Sequence, residues 1–281
     1  MKLARFRIDD QPSWGLVLED EQALLEAPPP LRDREMVHVL AELGGELARH
    51  FGGPGLRRLP LANLELLPPV ALPARILCVG LNYRAHVEEV GRAMPSHPSI
   101  FLRAADTLLG HNGPVPMPAV SECLDYEGEL ALVIGRGGAR IPRAEALAHV
   151  AGYTCFNDIS VRDWQKQSVT AGKNFPGTAP CGPWLASADA IGNPEDLVIT
   201  TRLNGREMQR DQVSNMTYGL PDLIAYLSTI APLKCGDIIA TGTPAGVGSG
   251  RKPQVWMRPG DRVEVEIGKV GVLANTVAAG L

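Results

Sequence analysis

Apolar and polar positions alternate at the start of the chain, which is the pattern of a half-buried β-strand. Residues 3–8 show this alternation, and a short apolar run at residues 14–18 follows a polar turn that contains Pro12, so we expect two paired strands. Apolar residues then recur at helical spacing between residues 34 and 51, at Met36, Val37, Leu40, Leu43 and Leu47. The pattern therefore predicts a small α+β unit with a helix that ends at the Gly-Gly-Pro sequence of residues 52–54.

After residue 75 the pattern changes to short apolar runs separated by turn residues. Strands are predicted at residues 76–79, 99–102, 126–134, 150–156, 197–204, 238–241 and 262–267, and helices at residues 82–90, 143–149 and 220–231. Pro68, Pro69 and Pro73 separate the two regions. We therefore expect a mixed α/β, strand-rich fold with a small N-terminal domain (residues 1–70) and a larger domain (residues 71–281).

Composition narrows the range of functions. The 281 residues include 30 glycines and 24 prolines, a surplus that indicates many turns and favours strands over a helical bundle. A net charge of −4 and an aromatic content of 5% argue against a nucleic-acid-binding surface. No apolar run is long enough to span a membrane, and the N-terminus lacks the apolar segment of a signal peptide. We expect a cytoplasmic protein that binds a small molecule rather than nucleic acid or a membrane.

The cysteines show no metal or redox spacing. They are Cys78, Cys123, Cys155, Cys181 and Cys235. Without a Cys-x-x-Cys pair, neither a zinc site nor a thiol–disulfide motif is indicated. We expect reduced, mostly buried thiols.

Three acidic residues alternate at the start of the predicted strand 126–134. Asp125, Glu127 and Glu129 would share one face of that strand, because successive side chains point to opposite sides. The apolar residues that follow draw this face toward the interior, where packed carboxylates need a cation to stay ionised. The segment therefore indicates a divalent metal site, and a solvated acidic edge is the competing interpretation.

Asp158 follows the predicted strand 150–156 and could add a third carboxylate. With no cysteine or histidine nearby, such a set favours Mg²⁺, Mn²⁺ or Ca²⁺ over zinc. An Asx turn or a helix cap would explain an isolated Asn-Asp pair without a metal. If a helix begins at Asp158, then Asp158, Arg162 and Gln165 lie on the same face of it.

His86 and Glu89 are three residues apart on the predicted helix 82–90. At this spacing the glutamate can orient and polarise the imidazole, so the pair could activate a water molecule. A surface ion pair without a catalytic role is the competing interpretation.

Two glycine-containing segments could bind an anion. Lys173 lies in the sequence Ala-Gly-Lys-Asn-Phe-Pro-Gly of residues 171–177 and could bind a substrate carboxylate or an oxyanion, although most loop lysines are only solvated. Residues 240–248, Ala-Thr-Gly-Thr-Pro-Ala-Gly-Val-Gly, fit neither a phosphate loop nor a dinucleotide-binding motif. The backbone N–H groups of this segment and the Thr243 hydroxyl could still bind an anionic substrate through hydrogen bonds.

Together and in this order, the segments resemble the catalytic domain of the fumarylacetoacetate hydrolase family. The resemblance begins near Arg75 and covers roughly three quarters of the chain. It rests on Gly-x-Asn-Tyr-x-x-His, Asp-Tyr-Glu-x-Glu-Leu-Ala, Gly-Tyr-x-x-x-Asn-Asp-Ile-Ser-x-Arg-Asp-x-Gln, Gly-Lys-Asn-Phe, Gly-Pro-Trp-Leu and Gly-Thr-Pro-Ala-Gly-Val-Gly. Six motifs in the family's order make the match specific.

The resemblance implies both a fold and a metal site. The family fold is a β-roll of mixed sheets with a variable N-terminal domain, and its members usually form homodimers. Glu127, Glu129 and Asp158 match the family's metal ligands. We therefore expect a homodimer that binds Mg²⁺, with Mn²⁺ or Ca²⁺ as alternatives.

The resemblance also implies roles for the remaining candidates. His86 with Glu89 matches the dyad that activates water, on a segment that closes as a lid, and Lys173 matches the lysine beside the metal. The positions that contact substrate in relatives correspond to Arg162, Gln165 and Thr243.

The chain departs from the family pattern at Arg103. Many members read Phe-Leu-Lys-Pro where this chain has Phe-Leu-Arg-Ala at residues 101–104. Arginine keeps the positive charge but adds a planar fork of donors. We therefore expect Arg103 to bind substrate and to shift the substrate preference.

The reaction expected from this resemblance is metal-dependent hydrolysis of a carbon–carbon bond in a 2,4-diketo acid or acylpyruvate. The metal would chelate the 2-oxo acid, and His86 backed by Glu89 would take a proton from water. Lys173 would stabilise the oxyanion, and cleavage would leave an enolate held on the metal.

Two other functions compete with hydrolysis. A metal-dependent decarboxylase or isomerase of 2-oxo diacids such as oxaloacetate would use the same groups without an attacking water. Glu89 favours the hydrolase over this alternative. A non-catalytic binding module on the same fold would be expected to have lost one of these groups, and the chain retains them all.

Overall fold

The computed structural model describes residues 1–73 and 75–279, so residues 74, 280 and 281 of the predicted larger domain lie outside it. Its strands are β1 (Lys2–Ile8), β2 (Gln11–Leu18), β3 (Ala23–Glu26), β4 (Arg58–Pro60), β5 (Glu65–Leu67), β6 (Ile76–Gly80), β7 (Ser99–Arg103), β8 (Leu108–Leu109), β9 (Pro114–Pro116), β10 (Leu124–Asp125), β11 (Gly128–Ile134), β12 (Val150–Asn157), β13 (Ser160–Val161), β14 (Ala179–Ser187), β15 (Val198–Leu203), β16 (Arg206–Gln212), β17 (Ile238–Ala240), β18 (Arg262–Ile267) and β19 (Gly271–Ala278). Its α-helices are α1 (Met36–Leu43), α2 (Arg84–Glu89), α3 (Arg162–Gln165), α4 (Val169–Lys173), α5 (Ala188–Ile191) and α6 (Leu220–Ile230). Short 3₁₀ helices lie at Glu19–Glu21, Leu31–Asp33, Gly44–Phe51, Leu61–Asn63, Ala105–Thr107, Arg143–His149, Pro194–Asp196, Val213–Asn215 and Gly248–Gly250.

Within the described residues the strands form one large and two smaller sheets. The large sheet has 12 strands in the order β4-β3-β2-β1-β14-β12-β11-β17-β6-β7, with β5 paired to β1 and β8 to β14. A five-stranded sheet has the order β16-β15-β18-β19-β9, and β10 pairs with β13 alone. Most pairs are antiparallel, but β17 with β6, β14 with β8, and β19 with β9 are parallel. The predicted fold of mixed sheets is therefore confirmed.

The helix predicted over residues 34–51 divides in two. The α-helical part, α1, ends at Leu43, and a 3₁₀ helix begins at Gly44, which has φ +52°, and continues to Phe51. Glycine adopts this left-handed conformation without the steric cost of a Cβ, so the Gly44-Gly45 pair interrupts the helical hydrogen bonds.

Strand β14 was absent from the sequence prediction because its first half reads as a loop. Residues 179–183 are Ala-Pro-Cys-Gly-Pro, and proline cannot donate a ladder hydrogen bond. In the structure, β14 pairs with β12 across an irregularity: Tyr153 faces Ala186, but Cys155 faces Gly182. Pro183 falls within this irregularity, where the regular ladder is interrupted.

Both faces of β11 are buried, and this places the sheet at the centre of the molecule. Leu130 and Leu132 belong to a core shared with α6 and the five-stranded sheet. Ala131 and Val133 belong to a second core, which includes Met36 of α1 and other N-terminal residues. Side chains alternate along a strand, so Glu127 and Glu129 lie on the same side of the chain as Ala131 and Val133. This is the side that faces the second core.

The N-terminal region pairs directly with the rest of the large sheet. Lys2 and Leu3 of β1 face Ala186 and Leu185 of β14. The division of the chain at residue 70 stays a prediction, as do the homodimer and the cytoplasmic location. Among the helices of residues 1–73 and 75–279, none is long and apolar enough to cross a membrane.

Candidate active site and metal centre

Four strand ends meet at one edge of the large sheet, and the candidate site lies there. Strands β12 and β17 both run antiparallel to β11, and β6 runs parallel to β17. The start of β11 therefore lies beside the ends of the other three strands, which carry motifs from distant parts of the sequence. A cavity of about 420 Å³ opens at this edge, and the predicted site residues in its wall are His86, Glu127, Glu129, Asp158, Arg162, Gln165, Lys173 and Thr243.

Glu127, Glu129 and Asp158 form a buried cluster of carboxylates. Each offers one oxygen, and these oxygens all lie within 4.8 Å of one another. The three residues are 6%, 2% and 1% exposed. The backbone N–H of Asp158 donates to the carbonyl of Glu127 at 2.8 Å, which holds the end of β12 against the start of β11. An oxygen-only donor set of this kind suits a hard divalent cation.

Three cationic side chains surround two members of the cluster. The Lys173 ammonium donates to Oε2 of Glu127 and to Oδ2 of Asp158, both at 2.5 Å. Arg162 Nη2 lies 2.6 Å from Oε1 of Glu127, and Arg103 Nη1 lies 2.5 Å from Oδ1 of Asp158. Burial works to raise the pKa of Glu127, but Arg162 and Lys173 outweigh it and hold that pKa well below its usual range.

Glu129 lacks such a partner among the described residues. Its Oε2 accepts the N–H of Gly242 at 2.8 Å, and no ion pair reaches it. Burial, followed by the nearby charges of Asp158 and Glu127, raises the pKa of Glu129 well above its usual value. A buried carboxylate beside two others without its own counter-charge is the arrangement that a bound cation stabilises, so the residues present fit a divalent metal ion.

The buried His86 and the half-buried Glu89 form a pair on α2. Nδ1 of His86 lies 3.1 Å from Oε2 of Glu89. The other oxygen of Glu89 accepts the N–H of Gly246 at 2.9 Å. A carboxylate beside Nδ1 selects the tautomer with the proton on Nδ1, which leaves Nε2 as the basic nitrogen. Because His86 lines the cavity and is only 6% exposed, the competing interpretation of a solvated surface pair does not describe it.

Arg162 and Gln165 lie together on α3, as their spacing predicted, but Asp158 is not part of that helix because strand β13 separates it from α3. Both line the cavity, and Arg162 Nη1 donates to Oε1 of Gln165 at 2.9 Å. Thr243 also lines the cavity, but its hydroxyl already donates to the carbonyl of Gly128 at 2.9 Å and accepts from Gln209 Nε2 at 2.7 Å. Contacts between these residues and a substrate stay predictions.

Arg103 occupies a different place from the one expected of a substrate-binding residue. Its side chain is 0% exposed and is absent from the cavity wall. Besides Asp158, it donates to the carbonyl of Ile159 at 3.1 Å and to Thr178 Oγ1 at 2.6 Å. The planar fork of arginine reaches several acceptors at once. In this structure it holds Asp158 from behind rather than facing the cavity.

The glycine loop (residues 242–250) binds protein carboxylates through the N–H groups that we expected to bind substrate. Gly242 donates to Glu129, Gly246 to Glu89, and Gly248 to Oδ1 of Asp125 at 2.7 Å. The donors are therefore used to hold acidic side chains from three different elements. The sequence identified the loop, but its partners come from distant segments.

Asp125 lies apart from the carboxylate cluster, contrary to the alternation that placed it beside Glu127 and Glu129. The expected strand is broken: Asp125 ends β10, which pairs with β13, while β11 begins at Gly128. Asp125 is fully buried and accepts hydrogen bonds from the glycine loop and from Arg162. The Asp-Tyr-Glu motif drew attention to both acidic residues. Asp125 and Glu127 are separated only because the chain passes from one sheet to another between them.

Several wall residues had no signal in the sequence. They include Ser249, Gln254 and Trp256, with Arg92 and Lys166 as further cationic residues, whereas Phe101 belongs to the Phe-Leu-Arg-Ala segment discussed above. Phe101 lies under the lysine of the site, with Lys173 Nζ 5.5 Å from its ring centroid. Isolated aromatic and amide residues of this kind carry no motif, so only the folded chain shows that they share a wall.

The five cysteines are free, and Cys78, Cys155 and Cys181 are buried, which confirms the expectation of unpaired thiols.

Comparisons with known proteins show which family and which solved structures this chain is similar to. Residues 75–278 match the family model described as fumarylacetoacetate (FAA) hydrolase C-terminal. The oxaloacetate tautomerase YisK of Bacillus subtilis is 42% identical over 99% of this chain and 100% of its own. A fumarylacetoacetate hydrolase from Exiguobacterium antarcticum has a TM-score of 0.86 at 34% identity, covering 99% of each chain. The maleylpyruvate hydrolase of Sphingobium sp. SYK-6, solved with manganese(II) and pyruvate, has a TM-score of 0.83 at 31% identity, covering 100% of each chain.

Proposed function

Since the chain belongs to the fumarylacetoacetate hydrolase family, we propose that it is a metal-dependent tautomerase of 2-oxo diacids of the oxaloacetate type. The main support is the 42% identity to an oxaloacetate tautomerase across 99% of this chain. The acidic cluster, the His86–Glu89 pair and the cationic side chains around one cavity supply the groups that this reaction needs. The motifs alone favoured hydrolysis of a carbon–carbon bond, but the relatives support the isomerase alternative better.

Tautomerisation moves one proton between C3 and the 2-oxo oxygen of the substrate. A base takes a proton from C3, and the C–H electron pair becomes the C2=C3 double bond. The carbonyl π pair moves to the oxygen, which accepts a proton and becomes the enol hydroxyl. The reaction therefore needs a base, a proton donor and positive charge near the oxygen, and it consumes no water.

His86 has the position and tautomer of that base. With Nδ1 held by Glu89 at 3.1 Å, the lone pair lies on Nε2, which has no protein partner among the described residues. After taking the proton, the same nitrogen can return it to the substrate. Glu89 does not line the cavity, so its part is to orient the ring and to stabilise the charged imidazolium.

Lys173 and Arg162 supply fixed positive charge in the cavity wall. Lys173 is 2% exposed and held by Glu127 and Asp158, so it is already oriented before a substrate binds. Held by Glu127, Glu129 and Asp158, a divalent ion would add Lewis-acid polarisation of the 2-oxo group. We propose Mg²⁺ or Mn²⁺, because the oxygen donors suit both and the Sphingobium hydrolase structure contains manganese.

Hydrolysis of acylpyruvates is the second candidate function. A histidine oriented by a carboxylate can take a proton from water as well as from carbon. The structural likeness to a maleylpyruvate hydrolase, at a TM-score of 0.83, favours this candidate.

A panel of substrates separates the two functions. The enzyme with Mn²⁺ is mixed with keto-oxaloacetate and with an acylpyruvate, while enol absorbance, CO₂ and pyruvate release are followed. The Glu127→Ala variant at the same metal concentration corrects for reactions that the free ion catalyses. We expect faster keto–enol interconversion of oxaloacetate without matching CO₂ release. Cleavage of the acylpyruvate without faster interconversion would overturn the proposal in favour of the hydrolase.

A further inference from the structure

Asp125 is a buried acid for which the proposed reaction has no use. Its side chain is 0% exposed and does not line the cavity. Its Oδ1 accepts the N–H of Gly248 at 2.7 Å, and its Oδ2 accepts from Ser249 N at 3.0 Å and from Arg162 Nε at 2.8 Å. One carboxylate thus joins the end of β10, the glycine loop and helix α3.

This arrangement requires a group that only accepts hydrogen bonds. All three groups that reach Asp125 are N–H donors, and a carboxylate has lone pairs for all of them. An asparagine at this position would turn an NH₂ group toward at least one donor. Gly248 allows the close approach, since a Cβ there would lie 2.6 Å from Oδ1 of Asp125.

The guanidinium that Asp125 holds has an unsatisfied nitrogen. Arg162 Nε bonds to Asp125 and Nη1 to Gln165. Nη2 forms a salt bridge with Oε1 of Glu127 at 2.6 Å, but the angle of this contact is outside that of a regular hydrogen bond. Nη2 is therefore a buried donor without a well-aligned acceptor among the described residues, on a side chain in the cavity wall. Buried donors normally find an acceptor, and the carboxylate of a ligand would supply one.

We propose that Asp125 is a positioning residue that fixes Arg162 through Nε so that Nη2 meets the carboxylate of a bound 2-oxo acid. A guanidinium is planar, so fixing Nε and Nη1 sets the direction of the N–H bonds on Nη2. The glycine loop donates hydrogen bonds to the same carboxylate, so Asp125 fixes the position of the loop relative to Arg162. The inference rests on the proposed function only in taking the cavity as the site for 2-oxo acids.

Binding of pyruvate in saturating Mn²⁺, measured by calorimetry, tests this role without a turnover assay. In Asp125→Asn we expect the dissociation constant for pyruvate to rise at least tenfold. The matched control is Asp237→Asn. Asp237 is also 0% exposed, pairs with Arg75, and accepts a backbone N–H from Lys234 at 2.8 Å, but it lies at the other end of β17.

The control separates positioning from general destabilisation. Asp237→Asn should lower the melting temperature about as much as Asp125→Asn, yet bind pyruvate within twofold of the wild type. Wild-type affinity in Asp125→Asn, or equal weakening in both variants, would overturn the inference. If Asp125→Asn does not fold, Asp125→Glu keeps the charge and displaces the carboxylate by one methylene. Weaker pyruvate binding is again expected, and wild-type binding again contradicts the role.

A double variant tests whether Asp125 acts through Arg162. If it does, adding Asp125→Asn to Arg162→Lys should weaken pyruvate binding less than twofold further, because the oriented guanidinium is already lost. Additive losses would overturn the inference. Failure of the tautomerase assay with wild-type protein, alongside pyruvate binding that depends on Asp125, would instead reject the proposed function alone.

Discussion

Oε2 of Glu89 lies 3.1 Å from Nδ1 of His86, while Oε1 of Glu89 accepts the N–H of Gly246 in the glycine loop at 2.9 Å. The glutamate therefore orients the imidazole and fixes α2 against the loop at the same time. Close packing supports this contact, since a Cβ on Gly250 would lie only 2.5 Å from the Cγ of Glu89.

Replacing Glu89 with glutamine should slow the tautomerase reaction. The amide keeps the size of the side chain but removes the charge that stabilises a protonated His86, so we expect a loss of about 10²-fold in kcat. Decay of enol absorbance at saturating substrate measures it. The control is Glu88→Gln, an exposed glutamate on the same helix, which should keep the wild-type rate. Full activity in Glu89→Gln would exclude a catalytic role for the His86–Glu89 pair in this reaction.

Replacing Glu129 with glutamine should stabilise the protein in the absence of metal and weaken its binding of Mn²⁺. Glu129 is buried beside Glu127 and Asp158 without its own ion pair, so in a chelator the variant should melt at a higher temperature than the wild type. Mn²⁺ at 100 times its dissociation constant should stabilise the wild type by about 2.7 kcal/mol. We expect the variant to lose most of this gain in thermal denaturation.

An exposed acid provides the comparison for that measurement. Glu207, whose side chain is 50% exposed, pairs only with Arg210 on its own strand, so Glu207→Gln should respond to Mn²⁺ like the wild type. A Glu129→Gln protein that gained as much stability from Mn²⁺ as Glu207→Gln would contradict the metal centre.

Removing the charge of Arg103 should destabilise the protein strongly. Arg103 and Asp158 are both almost fully buried and pair at 2.5 Å, so Arg103→Met removes the cation beside Oδ1 of Asp158 and leaves only Lys173, on Oδ2, as its counter-charge. We expect a loss of about 3–5 kcal/mol in the free energy of unfolding, measured by urea denaturation. Arg103→Lys should lose less, because it keeps the charge but not the contacts with Ile159 and Thr178.

The size of that loss depends on burial. Arg262 pairs with Glu264 at the surface, where its side chain is 51% exposed, and Arg262→Met should cost less than about 1 kcal/mol. Equal losses in Arg103→Met and Arg262→Met would show that the buried pair with Asp158 adds nothing to stability.

Stability should fall on acidification because of His111. Burial lowers the pKa of His111 to about 4, and its Nδ1 accepts the N–H of Ala274 at 3.1 Å, which only a neutral ring can do. Below pH 6.5 His111 binds a proton in the unfolded chain, but in the folded protein it stays neutral until about pH 4. The contribution is therefore complete above pH 6.5 and is lost at about 1.4 kcal/mol per unit as the pH falls toward 4.

Asparagine at position 111 places an acceptor oxygen near the position of Nδ1 but does not titrate. Urea denaturation of His111→Asn between pH 4 and 6.5 should therefore give a flatter dependence of stability on pH than the wild type. Parallel curves for the two proteins would show that His111 is charged in the folded state.

Much of the site could be predicted from local sequence because its chemistry resides in residue types and short spacings. The i, i+2 spacing of Glu127 and Glu129 puts them on the same side of the chain at the start of β11, and the i, i+3 spacing of His86 and Glu89 pairs them on α2. Strand β18, Arg262–Ile267, agrees with its prediction at both ends because its apolar positions alternate without interruption.

Contacts between distant segments were decided by the tertiary structure. Asp125 leaves the strand of Glu127 because β10 pairs with β13 rather than continuing into β11, and no residue within the motif signals that change. Arg103 turns behind Asp158, which lies 55 positions further along the chain, and Gly248 reaches Asp125 across 123 positions. Local spacing specifies which side chains can share a face. Which acceptor satisfies a buried donor depends on the segments that the sheet order brings together, and that order is a property of the whole folded chain.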